Sequence, residues 1–263
     1  MLKNPNDAKK HSVSVVVLTH NSSSKLKDCL ESAKWSNDII IVDDNSSDNS
    51  IEIAKEYTDR IYTRKWDNEG VHRNYAYSLA RNDYILSLDS DERVTPKLRD
   101  EILLLSDNGF LYDCYNIPHR NYIGDRWIQY GGWYPNAKLK LFKKRLPIYK
   151  EEEYHPPAVI LGERKTLKNE IIHLCYNDYA DMISKVNHQT NFEARKWFRD
   201  KRKMSLARAI RKTIDRFLKA FILKQGFRDG FLGFMMAGLG GFYQILSYAK
   251  LVELKDRKGD ESR

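Results

Sequence analysis

Four short apolar runs, each stopping at polar residues, constrain this 263-residue chain more than any other feature. Val13-Ser14-Val15-Val16-Val17-Leu18 stops at Thr19-His20-Asn21, and Ile39-Ile40-Ile41-Val42 stops at Asp43-Asp44-Asn45-Ser46-Ser47. A third run is expected at Arg60 to Thr63, and Tyr84-Ile85-Leu86-Ser87-Leu88 stops at Asp89-Ser90-Asp91. Continuous β-branched runs suit strands covered on both faces. Between them the periodicity becomes helical. Leu26, Cys29, Leu30 and Ala33 fall at i, i+3, i+4 and i+7, the stripe by which a helix covers a sheet. Ile51 to Tyr57 reads as a second helix with Asp48 and Asn49 as N-cap candidates. Val71, Tyr75 and Leu79 share one side of a third, and Thr95-Pro96 opens a fourth carrying Leu98, Ile102 and Leu105.

Strands alternating with helices imply right-handed crossovers and an α/β fold: a Rossmann-like, mostly parallel sheet with helices on both faces. Ligands of such sheets bind outside the carboxyl ends of the strands. The three polar clusters each occupy such an end, so one site is assembled from three separate places in the chain.

The residue types at those ends suit particular chemistry. Asp89 and Asp91 are two positions apart and follow a strand directly, so their carboxylates can share one hard cation, Mg²⁺ or Mn²⁺, whose shell substrate phosphate oxygens complete. Such a cation neutralises a diphosphate leaving group. Asp43 can accept a hydrogen bond from a base edge such as uracil N3–H, with Thr19 contributing, and Arg73 suits the diphosphate charge.

The runs Val15 to Asn21 and Ile41 to Asp48, the pair Arg73-Asn74, and Leu86 to Glu92 together resemble the family 2 glycosyltransferases of GT-A fold, in particular the lipopolysaccharide core glucosyltransferases of the WaaE/KdtX type. The resemblance spans most of the chain and is strongest before residue 100. It implies an inverting transfer of a hexose from a nucleotide-sugar donor, such as UDP-glucose, to a lipopolysaccharide-core or related glycolipid acceptor. Thr19, Asn21, Asp43, Asp44, Arg73 and Asp89 would bind the nucleotide sugar, with Asp43 at the base and Asp89 near ribose and metal. Asp91 would hold the metal. The subgroup often has acidic residues where this chain has Ser22-Ser23.

From Cys114 to Tyr154 the chain turns aromatic and basic. Trp127, Trp133 and Tyr134 offer apolar faces to a sugar ring, and Lys138 to Arg145 offers cations to a phosphorylated glycan; the alternative is an aromatic core layer beneath a basic edge strand. An inverting transfer needs a general base, which the family carries as a His-Glu pair in this region. The matching stretch here is Glu151-Glu152-Glu153-Tyr154-His155-Pro156-Pro157, with proline where glutamate is expected. Glu153 is the first candidate base and His155 the second. His173 lies where relatives carry a histidine near the metal, and reads otherwise as a core histidine.

The expected division is a catalytic domain over 1–195, with a nucleotide-binding half at about 12–110 and an acceptor half at about 111–195, followed by a basic helical extension over 196–263. There, Leu206, Ile210, Ile214, Phe217 and Phe221 form an apolar stripe among Arg208, Arg211, Lys212, Arg216 and Lys219. A cationic amphipathic helix of this kind lies on an anionic membrane surface; a helical cap or a subunit interface is the competing reading. The uncharged stretch Gly230 to Leu246 falls short of the roughly 20 residues a spanning helix needs. The polar start, Met1 to His11, has no secretory h-region. Together these predict a cytoplasmic protein, peripheral on the inner face of the cytoplasmic membrane. Cys29, Cys114 and Cys175, widely spaced with no CxxC pair, read as reduced core residues.

Two rivals are disfavoured. A DxDx(T/V) phosphatase needs Thr or Val where Arg93 stands and places its motif after the first strand. The net charge of +9 attracts nucleic acid, but the chain carries no stacking platform or recognition motif, so no specific nucleic-acid partner is expected. Transfer to a polyprenyl phosphate is the alternative within glycosyltransferases.

Overall fold

The computed structural model describes residues 12–146, 148–150, 158–159 and 162–260. Strand β1 (Val13–Thr19) leads to helix α1 (Ser23–Ala33), β2 (Asp38–Asp43), α2 (Ser50–Lys55), β3 (Ile61–Thr63), α3 (Glu69–Ser78), β4 (Tyr84–Asp89), the short β5 (Glu92–Val94) and α4 (Pro96–Asp107). After these come β6 (Cys114–Ile117), β7 (His119–Ile123), β8 (Arg126–Trp127), β9 (Lys138–Lys143), β10 (Ile148–Tyr149), β11 (Ala158–Val159), β12 (Arg164–Thr166) and β13 (Ile171–Tyr176). Helices α5 (Tyr179–Arg199), α6 (Leu206–Leu218) and α7 (Gly230–Asp260) close the chain, with a π turn at Lys219–Leu223 and a 3₁₀ turn at Gly226–Asp229 between the last two.

The chain forms two compact units, one of Met1–His119 with Ala137–His173 and the other of Arg120–Asn136 with Leu174–Arg263. The boundary expected at residue 195 falls inside α5, within the second unit.

In the first unit a seven-stranded sheet runs β12-β6-β9-β4-β1-β2-β3. β1 pairs in parallel with β2 and β4, and β2 with β3, as the strand-helix alternation predicts. The side-chain period of two then sends successive residues to opposite faces. Val15, Val17, Ile39, Ile41, Leu86 and Leu88 pack under α1 and α4. Val16, Leu18, Ile40, Val42 and Ile85 pack against Ala76, Tyr77 and Ala80, from α3 and the residues after it. Cores on both faces are why these strands read as unbroken apolar runs. All three cysteines are buried thiols outside any disulfide.

Three local expectations change. β9 is not an edge strand: it lies antiparallel between β4 and β6, and its Lys140 is buried. α3 buries Glu69, Gly70, His72, Ala76 and Tyr77, with Val71 and Tyr75 only half-buried, because this helix must cover both the sheet and a polar site. Asn49 is the N-cap of α2 but makes no side-chain capping bond. The Asp48 carboxylate accepts from the backbone N–H of Ser50 and of Ser23, the first residue of α1, so it ties two helix starts together.

In the second unit β7 and β8 form a hairpin with Tyr122 opposite Trp127, and α7 packs against both α5 and α6. Leu232 and Met236 join Ile123, Ile128, Cys175 and Met182 in its core. The uncharged stretch from Gly230 is thus the start of a longer helix. The segment Gly226–Arg257 is long and apolar enough to cross a membrane by length and composition, and 39% of its most apolar window is buried against the protein.

At the amino end of the sheet, Asp38 joins the strands. Its carboxylate accepts from Ser14 Oγ, Arg60 Nη1 and the Arg81 backbone N–H. Burial opposes its ionisation, yet these hydrogen bonds and the Arg60 charge hold its pKa below the usual carboxylate value. A lowered folded-state pKa makes the stabilisation complete above the unfolded value of about 3.9, and it is lost as pH falls through the folded one. Asp38→Ala is expected to lower stability by about 3 kcal/mol at neutral pH, read by urea unfolding. The gap between variant and wild type should narrow at pH values below the unfolded pKa.

Candidate functional site

Sheet register brings the polar clusters together. Thr19 pairs with Asp43 in β2, and its neighbour Leu18 pairs with Asp89 in β4. Outside these strand ends lies a cavity of about 340 Å³ whose walls include Thr19, Asp44, Arg73, Asp89 and Asp91 from the predicted set, and His20, Trp66, Glu69 and His72 besides. Asn21 and Asp43 brace the rim. Asn21 Oδ1 accepts from the Ser47 N–H at 2.8 Å, and the Asp43 carboxylate accepts from the Ser46 N–H at 2.8 Å and its hydroxyl at 2.5 Å. Asn21 holds a left-handed φ of 45°, a conformation asparagine tolerates better than most side chains. Asp44 accepts from the Trp66 N–H at 2.6 Å and stands 3.6 Å from His20 Nδ1.

The floor of the site is a buried charge cluster. Lys140 Nζ donates to Asp89 Oδ2 at 2.9 Å and to Glu92 Oε2 at 2.6 Å. The other oxygen of Asp89 faces Arg73 Nη2 at 3.4 Å, and Arg73 Nε donates to Glu69 Oε1 at 2.9 Å. Glu92 Oε1 pairs with His119 Nε2 at 2.9 Å, and His119 Nδ1 donates to the Ile117 carbonyl at 2.9 Å. Burial opposes the ionisation of Asp89 and Glu92. Lys140 outweighs it at both, with Arg73 at Asp89 and His119 at Glu92, so both carboxyls lie well below the usual carboxylate range. Burial works against the Lys140 ammonium too, but the two carboxylates push its pKa up.

Asp91, its side chain 24% exposed against 37% for Asp89, stands 3.6 Å from His173 Nε2. Among the described residues no group of three His, Cys, Asp or Glu side chains converges as a metal cage. The donor chemistry still fits a divalent cation, since Mg²⁺ and Mn²⁺ are usually held by one or two protein groups plus substrate phosphates. Asp91 and His173 would be those groups. Asp89, expected on the metal as well, has each oxygen directed at a cation of the protein.

Two buried polar atoms in the cavity wall have no hydrogen-bond partner among the described residues: Thr19 Oγ1 and His72 Nδ1. Burial lowers the His72 pKa, and Arg64 adds to the effect, so the ring is neutral at physiological pH. The Trp66 and His72 rings lie 5.2 Å apart. Buried polar atoms are normally paired; these two are nearly covered, their residues 4% and 1% exposed.

Lys140, expected among the cations offered to a phosphorylated glycan, is instead buried against Asp89 and Glu92, and sequence reasoning overlooked Glu92, His119, Trp66 and His72. Glu92 adjoins Asp91 in an obvious acidic run, and alternation in Lys138-Leu139-Lys140-Leu141-Phe142 marks Lys140 as an inward-facing partner only once the strand is known to be central. His119 and His72 carry no spacing signal.

The second unit carries the aromatic candidates. Trp127 meets Tyr134 edge to face at 5.3 Å, and the Arg120 guanidinium lies 4.7 Å from the Trp127 ring centre. Trp133 instead packs on the core of that unit against Tyr176. Glu153 and His155 lie outside the described residues.

A doubly wound sheet with acidic strand-end turns around a polar cavity is the architecture of a nucleotide-sugar enzyme. Residues 14–169 match the family model for glycosyl transferase family 2. The chain belongs to that family and is a glycosyltransferase using a nucleotide sugar. It is 26% identical over 256 residues to an uncharacterized glycosyltransferase of Rickettsia typhi, covering 92% of this chain and 87% of the relative. It is 23% identical over 257 residues to the lipopolysaccharide core biosynthesis glycosyltransferase LpsC of Rhizobium meliloti, covering 92% of each. Among solved structures, S. aureus TarS 1–349 in complex with UDP aligns over 94% of this chain and 92% of its own, at 17% identity and a TM-score of 0.48.

Removing the buried cation should be costly. Lys140→Met leaves the buried Glu92 and the partly exposed Asp89 without their main partner and is expected to lower stability by about 3 kcal/mol, measured by urea unfolding. Adding Glu92→Gln should recover part of that loss, a coupling that a double-mutant cycle reads directly.

Proposed function

We propose that this chain is an inverting glycosyltransferase that moves a hexose from UDP-glucose or a similar UDP-sugar to a lipopolysaccharide-core or related cell-surface glycan, at the inner face of the cytoplasmic membrane. The observation that carries the donor reading is the cavity that ends at Asp89 and Asp91, with Thr19 and His72 in its wall. A hydroxyl that can donate and a neutral ring nitrogen that can accept match the carbonyl and N3–H of a uracil edge, and Trp66 offers the base an aromatic face. Asp43, Asp44 and Asn21 shape the loop on the nucleoside side, Asp89 lies toward ribose, and Arg73 faces the diphosphate. The lipopolysaccharide reading is supported by the end-to-end similarity to LpsC.

In the reaction, the acceptor oxygen bonds to the anomeric carbon while the bond from that carbon to the diphosphate oxygen breaks. The bonding pair leaves with the nucleoside diphosphate, and the acceptor proton passes to one base, for which Glu153 is the first candidate and His155 the alternative. A divalent cation would be held by Asp91 and His173 and would supply charge neutralisation at the diphosphate. Trp127 and Tyr134 offer an aromatic corner for the acceptor sugar, with Trp133 supporting it.

A donor screen with purified protein, Mn²⁺ or Mg²⁺ and detergent-extracted glycolipid, reading nucleoside diphosphate release, tests the reading. Release with no UDP-sugar, or only without a glycolipid acceptor, would overturn it. Asp91→Asn should remove divalent-ion-dependent turnover with unchanged thermal unfolding, since an amide oxygen is a poorer ligand for a hard cation.

His72→Ala should weaken UDP binding about tenfold by calorimetry, the order expected for one hydrogen bond in a buried site. Glu153→Gln should lower turnover roughly 10²-fold or more with donor affinity unchanged. Near-normal turnover in that variant, with His155→Ala inactive, moves the base to His155.

A further inference from the structure

We infer that the outer face of α6, the turns after it and the first turns of α7 form one docking surface for an anionic lipid bilayer, lying along its interface rather than crossing it. The inference concerns only the second unit and does not rest on the sugar-transfer reading.

Of the apolar stripe expected on α6, Phe217 turns toward α7 and is half-buried, as is Phe221, but the rest does not face the protein. Leu206, Ile210, Ile214 and Leu218, with Ile222 in the turn that follows, are spaced four apart and are 43% to 54% exposed. α6 docks on α7 through its small-residue edge instead. Ala209 is fully buried, and a side chain added at Gly241 of α7 would sit 2.8 Å from the Thr213 carbonyl. That close approach is possible only because Gly241 has no Cβ. A side chain at Gly233 would collide with the Gly226 carbonyl, so a second glycine lets the 3₁₀ turn fold back on α7.

The folded turn extends the stripe. Phe227, Phe231 and Phe234 are 52%, 67% and 47% exposed. Phe221 lies within 6.3 Å of Phe227 and 5.8 Å of Phe234, and Phe231 within 6.4 Å of Phe234, ring centre to ring centre. Aliphatic row and aromatic cluster therefore make one continuous surface, which in a soluble protein marks a binding face.

Charge selects the occupant. Between Leu206 and Asp229 the chain carries seven Lys or Arg and two Asp, and the Asp229 carboxylate is engaged by the backbone N–H groups of Gln129 and Tyr130. A two-fold copy of the same face would set cation against cation. Acidic headgroups complement the cations while the apolar row enters the acyl boundary. α7 itself stays with the protein, since Leu232, Met236 and Ala237 are buried.

The test sediments the full chain with vesicles of phosphatidylglycerol and phosphatidylcholine, and with phosphatidylcholine alone. Wild type should pellet with the anionic vesicles at low salt and keep a salt-resistant fraction. Ile210→Glu with Ile214→Glu and Phe231→Ser should lose at least about 100-fold in partitioning, with unchanged thermal unfolding and UDP binding. Arg211→Gln with Lys212→Gln and Lys219→Gln should leave only the salt-resistant part. Wild type remaining in the supernatant, or the apolar variant binding like wild type, would overturn the inference. So would a dimer in light scattering that the apolar variant dissolves while vesicles bind neither protein, which would make the face a contact between copies.

Discussion

Lys140 sits between Asp89 and Glu92 with almost no access to water, and the rest of the site is arranged around the need to balance that charge. An ammonium in such a place persists only with carboxylates in hydrogen-bond contact. Asp89 ends β4, Glu92 begins β5 and Lys140 lies in β9, so one triad of charges joins three strands. His119 and Arg73 extend it from opposite sides. The acidic turn is thereby fixed at the strand end, with Asp91 outside the triad and 3.6 Å from His173.

The same arrangement divides labour between neighbouring carboxylates. Asp89 is engaged by two cations of the protein, whereas Asp91 stands 3.6 Å from His173. On the other wall, α3 turns polar residues inward because its buried face lines the cavity as well as the sheet. A helix that served only to cover the sheet would have buried Val71 and Tyr75. His72, with its unpartnered Nδ1, lies on that buried face.

In the helical unit the deciding factor is how closely backbones approach. Gly233 and Gly241 let α7 meet the preceding turn and α6 at distances no side chain permits. Once small residues supply the contact, the large apolar side chains of α6 are left outside. An amphipathic pattern reports that a helix has an apolar face; it does not report that the protein covers it.

By itself the sequence determined the strand-helix alternation, the parallel core of the sheet and the convergence of Thr19, Asp43 and Asp89 at the strand ends. Those features follow from local periodicity and from the rule that parallel strands end on the same side. The tertiary structure alone decided the partners of Asp89. Lys140 is 51 residues away in sequence, and its role depends on β9 lying between β4 and β6, a pairing that the alternation of Lys and Leu leaves open. It also decided that His72 faces the cavity and that the α6 stripe stays exposed. Burial of a charge or a helix face is a property of what packs against it, and that information is held by distant residues acting together.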